Sequence, residues 1–201
     1  RCRLTHVATS RSAHGVELPP KVTVTPHWQE LVQGECDAVL IATPPHTHAE
    51  MVEACLENRK PCLVEKPLCL DVPTAERLHR QIQSSGHAVL VNHTLLFHPA
   101  YQALKKALSQ SGETIRLILS EGQALGPFRE DTNALWDWCP HDLSVCLDLL
   151  QDRPLRMTTL GGPADPKGSP EMVSIRLDFP GQTSAWIQAG RAGSVLVDFY
   201  I

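Results

Sequence analysis

Between residues 37 and 112 strand-length apolar runs alternate with amphipathic helical patterns, and this alternation constrains the fold more than any other feature. DAVLIAT (37–43) is a continuous, β-branched-rich run of the kind expected for a strand buried on both faces. THAEMVEACLENRK (47–60) places Met51, Val52, Cys55 and Leu56 at helical spacing. PCLVEKP (61–67) is a strand that breaks at a proline, and PTAERLHRQIQSSG (73–86) a helix closed by Gly86. HAVLVN (87–92) is a further strand, and HPAYQALKKALSQSG (98–112) a helix with Pro99 at its start and Gly112 at its end. Upstream, LTHVAT (4–9) reads as a strand and HWQELVQ (27–33) as a short helix. Strand–helix repetition with short connections predicts βαβ units, a parallel sheet and an α/β doubly wound fold. Such sheets bind ligands at the carboxyl ends of their strands. Here those ends are Thr9–Arg11, Thr43–His46, Glu65–Pro67 and Asn92–His93.

The texture changes after residue 112. TIRLILSEGQ (114–123) reads as a strand, and WDWCPHDLSVCLDLLQ (136–151) is helical from about Pro140. Strand-like runs follow at 154–162, 171–181, 182–190 and 194–201, with alternation over Val173, Ile175, Leu177 and Phe179. Hairpin-like strands predict an open, mostly antiparallel sheet and hence a second, α+β domain. The expected division is an α/β domain over 1–112 and an α+β domain over 113–201.

Eighteen Lys plus Arg stand against 22 Asp plus Glu, a net charge of −4, without the basic footprint of a nucleic-acid binder. No apolar run is long enough to span a bilayer, so no membrane partner is expected. Residues 1–15 lack the apolar segment of a signal peptide. The seven cysteines are scattered, with no C-x-x-C pair, and several lie in apolar runs. They read as buried free thiols of a reducing, cytoplasmic protein.

A few polar residues carry possible chemistry. Lys66 at a strand's carboxyl end would be partly desolvated by its apolar and proline neighbours, which lowers an ammonium pKa and suits proton transfer. The plain alternative is a surface Lys paired with Glu65. His141 lies four residues after Asp137, a spacing that lets the carboxylate orient the ring or share a substrate hydroxyl. Its alternative is a helix cap, or packing against Trp136 or Trp138. Asp142 reads as a first-turn charge favourable to the helix dipole. After the first strand stand Ser10 and Arg11, where an acid would bind a ribose 2′-hydroxyl and an Arg a 2′-phosphate, so NADP is favoured over NAD. His46-Thr47-His48 invites a metal reading, but it follows two prolines and has no placed carboxylate partner, so no metal ligands are assigned.

Taken together, Thr43-Pro44-Pro45, His48, Arg59-Lys60-Pro61 and Glu65-Lys66-Pro67 resemble the N-terminal domain of the Gfo/Idh/MocA oxidoreductases, which include glucose–fructose oxidoreductase and inositol dehydrogenase. That family's signature is a strand ending in TPN or a variant, a downstream His, then GK, an apolar strand and EKP. Phe97, Pro99 and Tyr101 resemble its R/F-x-P segment, and Asp137 with His141 its D-x-x-x-H helix. The resemblance implies a Rossmann-type fold and hydride transfer between NADP or NAD and a sugar, cyclitol or related polyhydroxy substrate. It implies catalytic roles for Lys66, His141 and Asp137. Thr43, Pro44, His48, Glu65 and Lys66 would line the cofactor cleft, with Ser10 and Arg11 at the adenosine end. Asn92, His93 and Phe97, with Asp137 and His141, would face the substrate. A cis peptide before Pro67 and homo-oligomers formed through the C-terminal sheet are further implications.

The sequence contains no G-x-G-x-x-G, the turn that admits a pyrophosphate in Rossmann proteins. It is therefore expected to be an internal fragment, lacking the first strand and Gly-rich loop, inactive alone. Two other functions stay open: a non-catalytic nucleotide- or sugar-binding relative, which Lys66, Asp137 and His141 disfavour, and a metal-dependent hydrolase.

Overall fold

The computed structural model describes residues 2–10, 17–123, 132–162, 168, 170–190 and 196–200. Two compact units result, Arg1–Asn92 and His93–Ile201. In the first, β1 (His6–Ala8), β2 (Thr23–Thr25), α1 (Trp28–Gln33), β3 (Val39–Ile41), α2 (His48–Glu57), β4 (Cys62–Glu65), α3 (Val72–Ser85) and β5 (Val89–Asn92) follow in order. Strands β3, β4 and β5 form a parallel sheet in that order, with Ile41 opposite Val64 and Val64 opposite Val91. β1 and β2 pair in parallel as a separate sheet. The three-residue β2, two of whose residues are exposed, is missing from the sequence reading, because its polar alternation resembles a loop.

Ile41, Cys62 and Val64 bury one sheet face against Val32 of α1, Met51, Val52 and Cys55 of α2, and Leu78 of α3. Right-handed crossovers that step in one direction put successive helices on the same side. The opposite face therefore stays open: Leu40 is 64% and Leu90 52% exposed, both in register with Leu63. Within this chain the strand expected to be buried on both faces is covered on one. α3 starts where Asp71 accepts a hydrogen bond from Thr74 N (2.8 Å) and ends at Gly86, whose φ of 69° needs no Cβ penalty.

The second unit carries α4 (Pro99–Ser111), β6 (Leu117–Gln123), α5 (Ala134–Asp137), α6 (Cys139–Leu150), β7 (Arg156–Gly161), β8 (Met172–Phe179), β9 (Thr183–Gly190) and β10 (Leu196–Tyr200). Its sheet runs β10-β6-β9-β8-β7; β6 and β9 are parallel and the other pairs antiparallel. Val173, Ile175, Leu177 and Phe179 of β8 and Ala185, Ile187 and Ala189 of β9 alternate inward, and pack with Cys139 and Cys146 of α6 and with Ala134 of α5. The sequence texture put the boundary after residue 112, whereas α4 belongs to this unit. Tyr101 donates to Asp148 of α6, and Lys105 Nζ lies 2.7 Å from the same carboxylate. Among the described residues no helix is long and apolar enough to cross a membrane.

Arg59, standing where the family signature has Gly, closes α2 with a φ of 55°. There Arg59 N donates to Leu56 O and Lys60 N to Cys55 O. A side chain in left-handed backbone costs more than the chain entropy that glycine adds. Arg59→Gly is expected to stabilise the protein by about 0.5–1 kcal/mol. Urea denaturation checks this, and a loss of stability would refute it.

Candidate functional site

Each unit carries its own group of polar residues. In the first they lie at the carboxyl ends of β3, β4 and β5. His48 at the start of α2 is fully buried. Its Nδ1 lies 2.8 Å from Pro67 O and its Nε2 2.8 Å from Thr43 O, so one ring bridges the segments leaving β3 and β4. Both carbonyls only accept, so a neutral ring donates to one of them at a time. Thr43 Oγ1 is 2.7 Å from Thr47 Oγ1, and Thr47 Oγ1 donates to Pro44 O at 2.8 Å, which tightens the same turn. Beside it, Asn92 Nδ2 donates to Glu65 Oε1 (2.7 Å) across the register pair that ends β4 and β5. Lys66 follows, half-buried, and its peptide bond to Pro67 is cis.

Thr43, His48, Glu65, Lys66 and Asn92 thus gather at one edge of the sheet. Pro44, exposed, belongs to the same turn. His48 plays a different part from the one expected: its ring nitrogens face backbone, so any influence on a cofactor runs through the strand ends it joins. Asn92, expected at the substrate, bonds Glu65. Ser10 is exposed just beyond β1, while Arg11 lies outside the described residues. A nicotinamide cofactor fits this edge, where parallel strands end in hydrogen-bonding side chains above a fixed backbone. The fit covers its nicotinamide side only, since the chain has no Gly-rich turn for the pyrophosphate.

In the second unit a cavity of about 160 Å³ is lined by Thr94, Leu95, Gly122, Trp138, His141 and Asp142. His141 enters from the first turn of α6, while Asp137, half-buried, ends α5 one turn earlier. α5 forms because Asn133 caps it, accepting from Trp136 N at 3.2 Å. Phe97, expected at the substrate, is 63% exposed and takes no part in the lining; Thr94 and Leu95 of the same short turn do. His93 is half-buried, its Nδ1 has no partner among the described residues, and burial holds its imidazole below the usual pKa.

Asp142 is the residue whose setting the sequence concealed. It is 3% exposed, accepts a hydrogen bond from Ser120 Oγ at 2.6 Å through Oδ1, and borders the cavity. Burial pushes its carboxyl up to about 6, against the opposing pull of the Ser120 hydroxyl. The only sequence signal was its place directly after His141. Burial, together with the Asp142 charge, also pushes the Cys139 and Cys146 thiols up to about 12, which leaves them inert as nucleophiles. Among the described residues no three His, Cys, Asp or Glu side chains converge on a point that could hold a metal. In the H-x-H, His46 is exposed while both nitrogens of His48 face carbonyls.

Residues 3–93 match the model of an oxidoreductase family with an NAD-binding Rossmann fold. The UDP-N-acetylglucosamine 3-dehydrogenase of Acidithiobacillus ferrooxidans is 31% identical over 63% of this chain and 40% of its own length. An inositol 2-dehydrogenase of Mycolicibacterium smegmatis is 30% identical over 72% of this chain and 43% of its own. The crystal structure of a Magnetospirillum magnetotacticum protein placed among the oxidoreductases superposes with a TM-score of 0.88 at 34% identity, covering 98% of this chain and 64% of that one. The matches to the two curated relatives thus span about two fifths of their length.

The His48 bridge and the Asp142 carboxyl have measurable energetics. His48→Ala leaves a cavity and removes the ring that lies between two buried carbonyls and donates to one of them, and is expected to cost about 2–4 kcal/mol; a loss under about 0.5 kcal/mol in urea denaturation would exclude the bridge. For Asp142 the native carboxyl binds its proton more tightly than the unfolded one, so stability falls as pH rises from the ordinary aspartate value of 3.8 to about 6. Asp142→Asn, which keeps an acceptor for Ser120, escapes that loss. Its stability relative to the parent protein should rise by about 2–3 kcal/mol between pH 4 and pH 7. A pH-independent difference in melting free energy would contradict the assignment.

Proposed function

We propose that this chain, which belongs to the Gfo/Idh/MocA oxidoreductase family, serves an NAD(P)-dependent dehydrogenase acting on a CH–OH carbon of a sugar, cyclitol or related polyol. The observation that carries this reading is the hydrogen-bonded row at the strand ends, with Lys66 between Glu65 and the His48-held Pro67. The second unit contributes a cavity that holds His141. The two dehydrogenase relatives, one named for inositol and the other for UDP-N-acetylglucosamine, support a polyhydroxy substrate.

The nicotinamide, when bound, takes or gives the hydride at the carbinol carbon. Thr43, Pro44, Glu65 and Lys66 would hold its nicotinamide side, with His48 fixing the backbone beneath them, and Ser10 and Arg11 would serve the adenosine ribose. In the oxidising direction the carbinol O–H proton passes to the His141 imidazole as the carbonyl forms, and the same ring returns it in reduction. By the family resemblance Lys66 assists proton transfer, and Asp137 orients the His141 ring. His93 and Phe97 belong to the substrate side. Ser10, where an acid would select NAD, favours NADP.

The seven cysteines are free thiols, and five of them are buried, which supports a reducing, cytoplasmic setting. The outer face of the second unit's sheet exposes Leu117, Leu160 and Trp186, with Arg176 stacked 5.4 Å from the Trp186 ring, which supports a homo-oligomer formed through that face.

In the full-length protein Lys66→Ala and His141→Ala are each expected to lower kcat by about 100-fold or more, the range of a lost general acid–base group. Fluorescence titration with NADPH and NADH should give nucleotide affinities within a few-fold of the parent protein, NADPH binding more tightly. Unchanged turnover in either variant would remove that residue from the mechanism, and the absence of any nucleotide binding would end the dehydrogenase reading.

A further inference from the structure

Asp142 has no part in the mechanism above, yet it is among the most deeply buried charged groups described. A structural carboxyl at this depth is expected to engage both oxygens. Here Ser120 donates to Oδ1 and the Asp142 backbone N–H also bonds the carboxyl, while no other side chain among the described residues donates to it. A Cβ built on Gly122 would stand 3.4 Å from Asp142 Oδ2 and 3.8 Å from Trp138 Cε3. Glycine at this strand position leaves open the space above the second oxygen, and that space borders the cavity. At about 160 Å³ the cavity is many times what a single water needs, so it suits a ligand of several heavy atoms. Its lining pairs an aromatic and an aliphatic surface, Trp138 and Leu95, with few polar groups, the balance typical of a small-molecule site. The Trp138 indole Nε1 is itself buried with no partner among the described residues.

We propose that Asp142 is a specificity-determining residue for the substrate: its Oδ2 accepts a hydrogen bond from the hydroxyl adjacent to the carbinol served by His141, so the site selects vicinal diols. The inference rests on the dehydrogenase reading and adds to it which hydroxyl pattern is recognised. His141 and Asp142 both line the cavity, so one ligand can meet both. Ser120 fixes the carboxyl from behind, and Gly122 keeps its open side clear.

The test uses the full-length protein with myo-inositol and a monodeoxy-inositol lacking the hydroxyl beside the reacting carbon. Steady-state kinetics are paired with calorimetric binding of both compounds in the presence of reduced cofactor. Asp142→Asn replaces a charge-assisted acceptor by a neutral one. It should weaken myo-inositol binding and raise its KM by about tenfold or more, with NAD(P)H affinity within twofold of the parent. The deoxy compound should bind parent and variant alike. Gly122→Ala, which adds one methyl at ordinary contact distance, should raise KM for myo-inositol several-fold and so provides a second variant independent of the charge. A parent protein that oxidises myo-inositol, with Asp142→Asn and Gly122→Ala both within twofold of its KM, overturns this inference alone. A parent protein that neither binds nor oxidises any cyclitol or hexose overturns the dehydrogenase reading and this inference together.

Discussion

The bridge made by His48 organises the first unit. A parallel sheet leaves backbone carbonyls at the carboxyl ends of its strands, and each buried carbonyl needs a donor. One imidazole placed between Thr43 O and Pro67 O serves two neighbouring strand ends from a single helix start. The position of Lys66 follows from it: the residue lies between a proline whose carbonyl is held and a glutamate held by Asn92. Fixed backbone on both sides spares a strand-end ammonium the entropy of an unconstrained loop, and this preorganisation is what a binding edge requires.

The second unit uses the opposite device. Its core is apolar and alternates regularly, with α6 laid on the inward residues of β8 and β9. Into that core it admits one carboxyl, Asp142, tied to Ser120. Such a group opposes stability, because burial resists its ionisation. One unit therefore fixes its strand ends with neutral and backbone partners, while the other accepts an electrostatic penalty beside a cavity.

Much of the fold was legible in the sequence. The βαβ alternation over 37–92, the glycines ending α3 and α4, and the inward alternation of β8 follow from local periodicity and from capping chemistry that acts within a few residues. The short β2 was not legible, because three residues with a polar alternation carry too little periodic signal. Arg59 shows a finer limit. The family pattern marks the position for glycine, and only the backbone shows that an arginine there adopts the left-handed conformation.

The site divides in the same way. Local order alone set the turn after β3, the Glu65-Lys66-Pro67 strand end and the one-turn spacing of Asp137 and His141, since neighbours in sequence are neighbours on a strand end or helix turn. Tertiary structure decided how those residues are used. His48 became a backbone bridge because Pro67, nineteen residues away, turns its carbonyl toward the ring. Asn92 turned to Glu65 because parallel register sets them side by side. Asp142, which by sequence is an ordinary first-turn charge, became a buried acid because β6 brings Ser120 and Gly122 against it. Burial and hydrogen-bond partners depend on residues distant in sequence, and periodicity does not report them.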